Sequence, residues 1–179
     1  MAQQLWFLRH GEAEPHDARP DVDRRLTERG EEQSRAAGRA LAALDITFQL
    51  VVTSPRVRSL DTARLACAEL GCDYVVDDAL SSGFDAEDAL ALAAGAGSAK
   101  RVLFVGHNPD FVEVVHDLTG AAVDMKKGGV AGVRMHGRRG ELIVLLRPRE
   151  MALIAPTATA GDGQAQAGVR GASPSPAPQ

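Results

Sequence analysis

The chain is poor in lysine, cysteine and long apolar runs, and each shortage excludes something. Lys100, Lys126 and Lys127 are its only lysines; 17 of its 20 cations are arginine, and 24 acids leave a net charge of −4. Without a basic surplus it lacks the electrostatic footprint of a nucleic-acid binder. Cys67 and Cys72 are the only cysteines. A lone C-x4-C pair without matching histidines is neither a zinc motif nor a disulfide framework, and reads as two reduced thiols in a cytosolic protein. No segment reaches the roughly 18 apolar residues that span a bilayer. The N-terminal apolar run is too short, and too poor in flanking base, for a leader. The expectation is a cytoplasmic protein with neither a membrane nor a nucleic-acid partner.

What is present suits a packed core: 179 residues, 45% hydrophobic and 25% charged. A domain of about 150 residues buries roughly 68–70% of its unfolded surface and needs no covalent staple. From Ala155 onward the composition turns to Ala, Gly, Pro, Ser and Thr. Such a segment cannot offset its ordering entropy by burial. One domain over residues 1–154 and a disordered tail over 155–179 are therefore expected.

Within the domain, short apolar runs alternate with helical patterns, which implies an α/β fold with a largely parallel sheet. Leu5–Leu8, Phe48–Thr53, Tyr74–Val76 and Val102–Val105 read as strands. "GVAGVRM" and "ELIVLL", flanking "HGRRG", read as a hairpin near the sheet edge. Thr27 is placed to cap a helix whose inner face carries Gln33, Ala37, Ala40, Leu41 and Leu44. Ser54-Pro55 and Asn108-Pro109 each read as a cap followed by proline in the first turn. The helices behind them, with stripes Val57/Leu60/Ala63/Cys67/Leu70 and Phe111/Val114/Val115/Leu118, should close at Gly71 and Gly120. Ala86–Ala94 is a further helix.

The chemistry gathers where strands end. Leu5–Leu8 runs into Arg9, His10 and Gly11; the second strand into Ser54-Pro55 with Arg56 and Arg58; Val102–Val105 into Gly106, His107 and Asn108. Ligands of open α/β sheets bind beyond the carboxyl ends of strands. Two imidazoles and at least two guanidiniums should thus share one rim, a site suited to a phosphoryl group. Nearby arginines disfavour imidazolium and keep a histidine nucleophilic near neutral pH. No H-x-x-x-H or H-E-x-x-H spacing is present, so no metal site is expected.

"LRHG", "SPRVRSLDTA" and "VGHNP", in this order and each at a strand end, resemble the histidine phosphatase superfamily from about residue 4 to residue 147. The resemblance implies a phosphoglycerate-mutase-like fold, a three-layer αβα sandwich. It implies phosphatase activity through a phosphohistidine intermediate, without cofactor or metal. His10 becomes the phosphorylated nucleophile, with Arg9, Arg58 and His107 completing the phosphate pocket. Gly11, Ser54 and Asn108 are the accompanying substrate-binding candidates. Ser59 and Asp61 stand where the family more often has Ala and Gln.

Asn108 stands where the acid-phosphatase branch carries Asp, and the short length, "LTERGEEQS" and the strand-rich end resemble the stripped-down SixA-type phosphohistidine phosphatases. No insertion resembles the one that supplies a glutamate proton donor elsewhere in the family. A site without a general acid favours a leaving group of low basicity, such as imidazole. The substrate is then phosphohistidine on a protein; the alternatives are a small phosphorylated molecule, or a non-catalytic phosphate-binding module. Asp85 is the carboxylate to watch as a substitute acid, against its plainer reading as the first residue of a helix. His16, His116 and His136 read as surface residues. Arg56 either reaches the phosphate or decorates a helical turn. Glu12 and Glu14 line either the rim or a solvated loop. "RPDVDRR" is a solvated loop or a partner contact, and "MKKGG" a basic turn or a hold on a protein substrate.

Overall fold

The computed structural model describes residues 2–155; apart from Ala155, the expected tail lies outside them. Six strands form one sheet in the order β3-β2-β4-β1-β5-β6. They are β1 (Gln4–Arg9), β2 (Leu50–Thr53), β3 (Val75–Val76), β4 (Arg101–Gly106), β5 (Val130–His136) and β6 (Arg139–Leu146). The first four are mutually parallel; β5 runs antiparallel to β1 and closes the edge as a hairpin with β6. Five helices cover the faces: α1 (Glu28–Ala43), α2 (Val57–Leu70), α3 (Ala86–Gly95), α4 (Asp110–Thr119) and α5 (Pro148–Ile154). This is an α/β sandwich of three layers.

Strand periodicity builds two cores. Leu5 and Phe7 of β1 join Val102 and Phe104 of β4 beneath α3 and α4, whose Ala89, Ala93, Phe111, Val114 and Leu118 fill that side. Trp6, Leu8, Leu103 and Val105 face the other way, onto Ala37, Ala40, Leu41, Ala63, Cys67 and Met151. The central strands are therefore apolar throughout, as expected of strands covered on both faces. Each fully buried large side chain contributes on the order of 1.5–3 kcal/mol by leaving water. Phe7, Phe84, Phe104 and Phe111 also meet ring to ring, with centroids 5.4–6.0 Å apart. Among the described residues, no helix is long and apolar enough to cross a membrane.

Helix ends differ from expectation in three places. Pro55 is not in the first turn of α2: Ser54 Oγ accepts the Arg56 amide at 3.3 Å, closing a tight turn, and the helix begins only after the extended Arg56. Asn108 does not cap α4, because its Nδ2 donates across to the Met125 carbonyl at 3.2 Å and Pro109 takes the cap position. Leu44 is exposed rather than on the inner stripe of α1, since the helix stops at Ala43. Thr27 caps α1 through the Gly30 amide, and α2 and α4 end at Gly71 and Gly120. The short α5 was not anticipated; it seats Met151, fully buried, in the second core.

Candidate active site

Because β2, β4 and β1 are parallel neighbours, their carboxyl ends lie side by side. The His10 amide donates to the Gly106 carbonyl at 2.8 Å and the Ser54 amide to Val105 at 3.0 Å, which ties the three strand ends together. A cavity of about 390 Å³ opens there, lined by Arg9, His10, Arg58, His107 and Asn108 together with Arg56. The four residues that dominate the sequence motifs thus face one space.

His10 is held by both nitrogens. Nδ1 lies 2.7 Å from the Gly11 carbonyl, which can only accept, so Nδ1 carries the proton. Nε2 is then a lone pair, and it accepts from Arg58 Nε at 3.2 Å. Burial drives the His10 pKa down to about 3; the Gly11 carbonyl opposes the shift, while the charges of Arg58 and Arg9 and the neighbouring His107 reinforce it. The imidazole is neutral through the physiological range.

The Gly11 position answers a packing demand. A Cβ there would meet the Gly30 carbonyl oxygen at 2.3 Å, and one on Gly30 would meet the Glu12 oxygen at 1.9 Å. Backbone lies on backbone where the strand end crosses the first turn of α1. The Gly11 amide donates to Thr62 Oγ1 at 3.1 Å, and Thr62 in turn donates to the Arg58 carbonyl at 2.8 Å. Ser34 Oγ adds a donor to the Gly30 carbonyl at 2.8 Å. The Gly11 amide is thus engaged within the protein, and Gly11 does not line the cavity. Ser54 does not line it either: it is fully buried, with its hydroxyl engaged in the turn before α2.

His107 is treated differently. Its Nε2 sits 3.5 Å from Asp110 Oδ2, an oxygen that also accepts the Phe84 amide at 3.0 Å. Its Nδ1 is buried without a partner. Burial lowers its pKa, as do Arg56 and Arg58, while Asp110 and Asp21 pull it back up. Arg9 donates to the Met125 carbonyl at 2.7 Å, which swings its guanidinium to the rim.

The residue that sequence reasoning missed is Asp21. The "RPDVDRR" segment is not merely solvated: Asp21–Asp23 forms a 3-10 turn that brings Asp21 against the cavity cations. One carboxylate oxygen lies 3.2 Å from Arg58 and also contacts Arg56; the other lies 3.2 Å from Arg24. Partial burial alone would raise the Asp21 pKa, but Arg58, Arg56 and Arg24 hold it below the usual carboxylate range. Arg24, nearly as buried as Arg58, is the second missed residue. The only signal for either was the density of charge in that loop. Arg56 proves to be a cavity residue, and His16 stands at the rim, 3.7 Å from Asp21.

Asp85 is elsewhere. It caps α3 in a reciprocal pair with Asp88, accepting its amide at 3.0 Å, and does not line the cavity. Among the described residues no group of three or more His, Cys, Asp or Glu is placed to hold a metal ion. Among the described residues the cavity is lined by four guanidiniums, three imidazoles, the ammonium of Lys127 and one carboxylate, Asp21, acting as their counter-anion. A dianion of phosphoryl size that displaced Asp21 would meet several charge-assisted donors at once.

Comparison with known proteins bears on the family and the fold. Residues 5–82 match the family model described as histidine phosphatase superfamily, branch 1. An uncharacterised protein of Picosynechococcus is 35% identical over 161 residues, covering 82% of this chain and 97% of that one. Among solved structures, the protein histidine phosphatase SixA in complex with tungstate superposes with a TM-score of 0.76 at 23% identity, covering 83% of this chain and 99% of the other. The α-ribazole phosphatase of Shigella flexneri superposes with a TM-score of 0.68 at 18% identity, covering 82% and 97%.

Proposed function

This chain belongs to the histidine phosphatase superfamily and is a phosphatase, and from that premise we propose that it removes phosphoryl groups from phosphohistidine on a protein, with His10 as nucleophile. The observation that carries the reading is the doubly fixed imidazole: Nδ1 to the Gly11 carbonyl, Nε2 toward the cavity cations.

In the first step the Nε2 lone pair attacks the phosphorus of a phosphohistidine whose ring carries a proton on its other nitrogen; the P–N bond breaks with its electron pair going to the leaving nitrogen, neutral imidazole departs, and the phosphoryl group is carried on His10. Arg58 gives up its hydrogen bond to Nε2 and turns to the phosphoryl oxygens, joined by Arg9 and His107. Little covalent work is left to the protein; positioning and charge neutralisation supply the catalysis. In the second step water attacks phosphorus, the P–N bond to His10 breaks, and inorganic phosphate and neutral imidazole are regenerated, with the proton passing to solvent.

The choice of substrate turns on the leaving group. Among the described residues Asp21 is the only carboxylate lining the cavity, and its cationic neighbours keep it ionised near neutral pH, so it is a poor proton donor. From a substrate ring protonated on its other nitrogen, which solvent supplies near neutral pH, the leaving group is neutral imidazole, with a conjugate-acid pKa of about 6.5, and it departs with little help, whereas an alkoxide does not. The free thiols of Cys67 and Cys72 accord with action in the cytoplasm.

The test is a chemical trap. Brief incubation with a labelled phosphodonor and a denaturing quench should leave acid-labile phosphate on His10. Hydrolysis of a phosphohistidine peptide should then far outrun that of an alkyl phosphate. Label on another residue would remove His10 from its role, and equal rates would remove the substrate assignment.

A further inference from the structure

A second concavity, of about 540 Å³, adjoins the first and shares Arg9 and Lys127 with it. Its walls carry six cations, Arg9, Arg29, Lys126, Lys127, Arg147 and Arg149, against two carboxylates, Glu12 and Glu150. They come from four separate segments: the end of β1, the first turn of α1, the loop before β5, and the start of α5. In a chain of net charge −4 that concentration runs against the average of the molecule.

The two carboxylates are already committed. Glu12 accepts the Thr27 hydroxyl at 3.0 Å and faces Arg29 at 3.5 Å. Glu150 accepts the Arg147 amide at 2.9 Å and lies 3.8 Å from Arg149. Asp124, just outside, is bound by Lys126 at 2.7 Å. Among the described residues Arg9, Lys127 and Arg147 have no ion-pair partner within 4 Å; Asp124 tempers Arg9 and Arg147 from farther off, and six cations against Glu12, Glu150 and Asp124 still leave a net positive field next to the reacting cavity. Arg29 and Arg149 are largely solvent-exposed, at 75% and 88% of the side chain. Exposed cations spread along an open groove suit a broad acidic surface, which steers and orients by field. A small bisphosphate would instead call for converging, hydrogen-bonded donors in an enclosed pocket.

We propose that this groove seats acidic side chains of the phosphorylated protein, alongside the phosphohistidine held by His10 and Arg58. The proposal rests on the phosphohistidine reading above and names the partner: a protein whose phosphorylated histidine is flanked by Asp and Glu.

The experiment uses two phosphohistidine peptides of equal length, one with Glu-rich and one with neutral flanks, and an aryl phosphate that reaches only the cavity. For the unaltered enzyme kcat/KM should favour the acidic peptide by about tenfold at low salt, the preference fading as salt screens it. Arg147→Glu with Arg149→Glu, and independently Arg29→Gln with Lys126→Gln, should each erase that preference while aryl phosphate turnover stays within about twofold, which also reports an intact fold. No preference in the unaltered enzyme, or a preference that both variants keep, overturns the proposal. So does a small bisphosphate that depends on these cations when peptide flanks do not. If neither phosphopeptide is hydrolysed, the phosphohistidine reading fails. The unphosphorylated flanks, used as inhibitors of aryl phosphate turnover, then decide the groove alone: inhibition by the acidic flank, lost in the variants, supports it, and equal inhibition by both flanks overturns it.

Discussion

His10 and His107 follow neighbouring parallel strands, are similarly buried and line one cavity, yet their surroundings are built on opposite plans. Every polar group around His10 is spoken for: Nδ1 by the Gly11 carbonyl, the Gly11 amide by Thr62, Nε2 by Arg58. His107 has one loose contact, 3.5 Å from Asp110, and a buried Nδ1 with no partner. A fully satisfied imidazole is fixed in tautomer and direction, as a nucleophile must be. An incompletely satisfied one can meet charge that appears only during the reaction. On the proposed mechanism, the difference separates the group that makes a bond from the one that receives the developing charge.

That contrast can be broken or sharpened in order of effect. His10→Gln should lower aryl phosphate turnover by at least about 10⁴-fold and abolish the acid-labile phosphoenzyme, because the bond-forming atom is gone. His107→Gln should lower kcat by roughly 10²–10³-fold, the range for losing one transition-state donor, while His10 still takes up label. If the two variants lost label equally, the division of labour would be wrong. Thr62→Val strands the Gly11 amide, at a cost of about 1–3 kcal/mol, and should loosen His10 alone. Turnover should fall about tenfold in kcat with KM little changed, and Thr62→Ser should restore it.

The last effect is on stability against pH and leaves the rate at neutral pH untouched. His10 binds its proton at about pH 3 when folded and near pH 6.5 when unfolded. Between those values the unfolded chain holds more protons, so stability is complete above about pH 6.5 and is lost as pH falls toward 3. Denaturant midpoints should drop across that window, and His10→Gln should flatten the drop. The pKa of His107 is also lowered, so His107→Gln should flatten it in the same sense.

Where the sequence could be read, a physical constraint was local. β1, β2 and β4 announce themselves because a strand covered on both faces must be apolar at every position, and the motif residues stand where those runs stop. The hairpin at the edge and the glycine stops of α2 and α4 are equally local. Asp21 and Arg24 were not legible, because their roles depend on a loop folding back onto residues some 35 positions away, and a charge cluster carries no periodicity to reveal that. Gly11 and Ser54 stand beside the nucleophile and at a strand end, as ligand contacts would, but their hydrogen bonds turn inward. The short α5 offers only seven residues, too few for a helical stripe to show.

The Gly11–Gly30 contact has a consequence for how mutational scans of this protein will look. The carbonyl that orients His10, the proposed nucleophile, belongs to a residue wedged against α1, with no room for a methyl group on either side. Alanine at Gly30, which touches no ligand and carries no chemistry, should therefore silence the enzyme much as an active-site lesion does. A tolerance map that ranks residues by lost activity alone will place this bare backbone crossing among the catalytic groups.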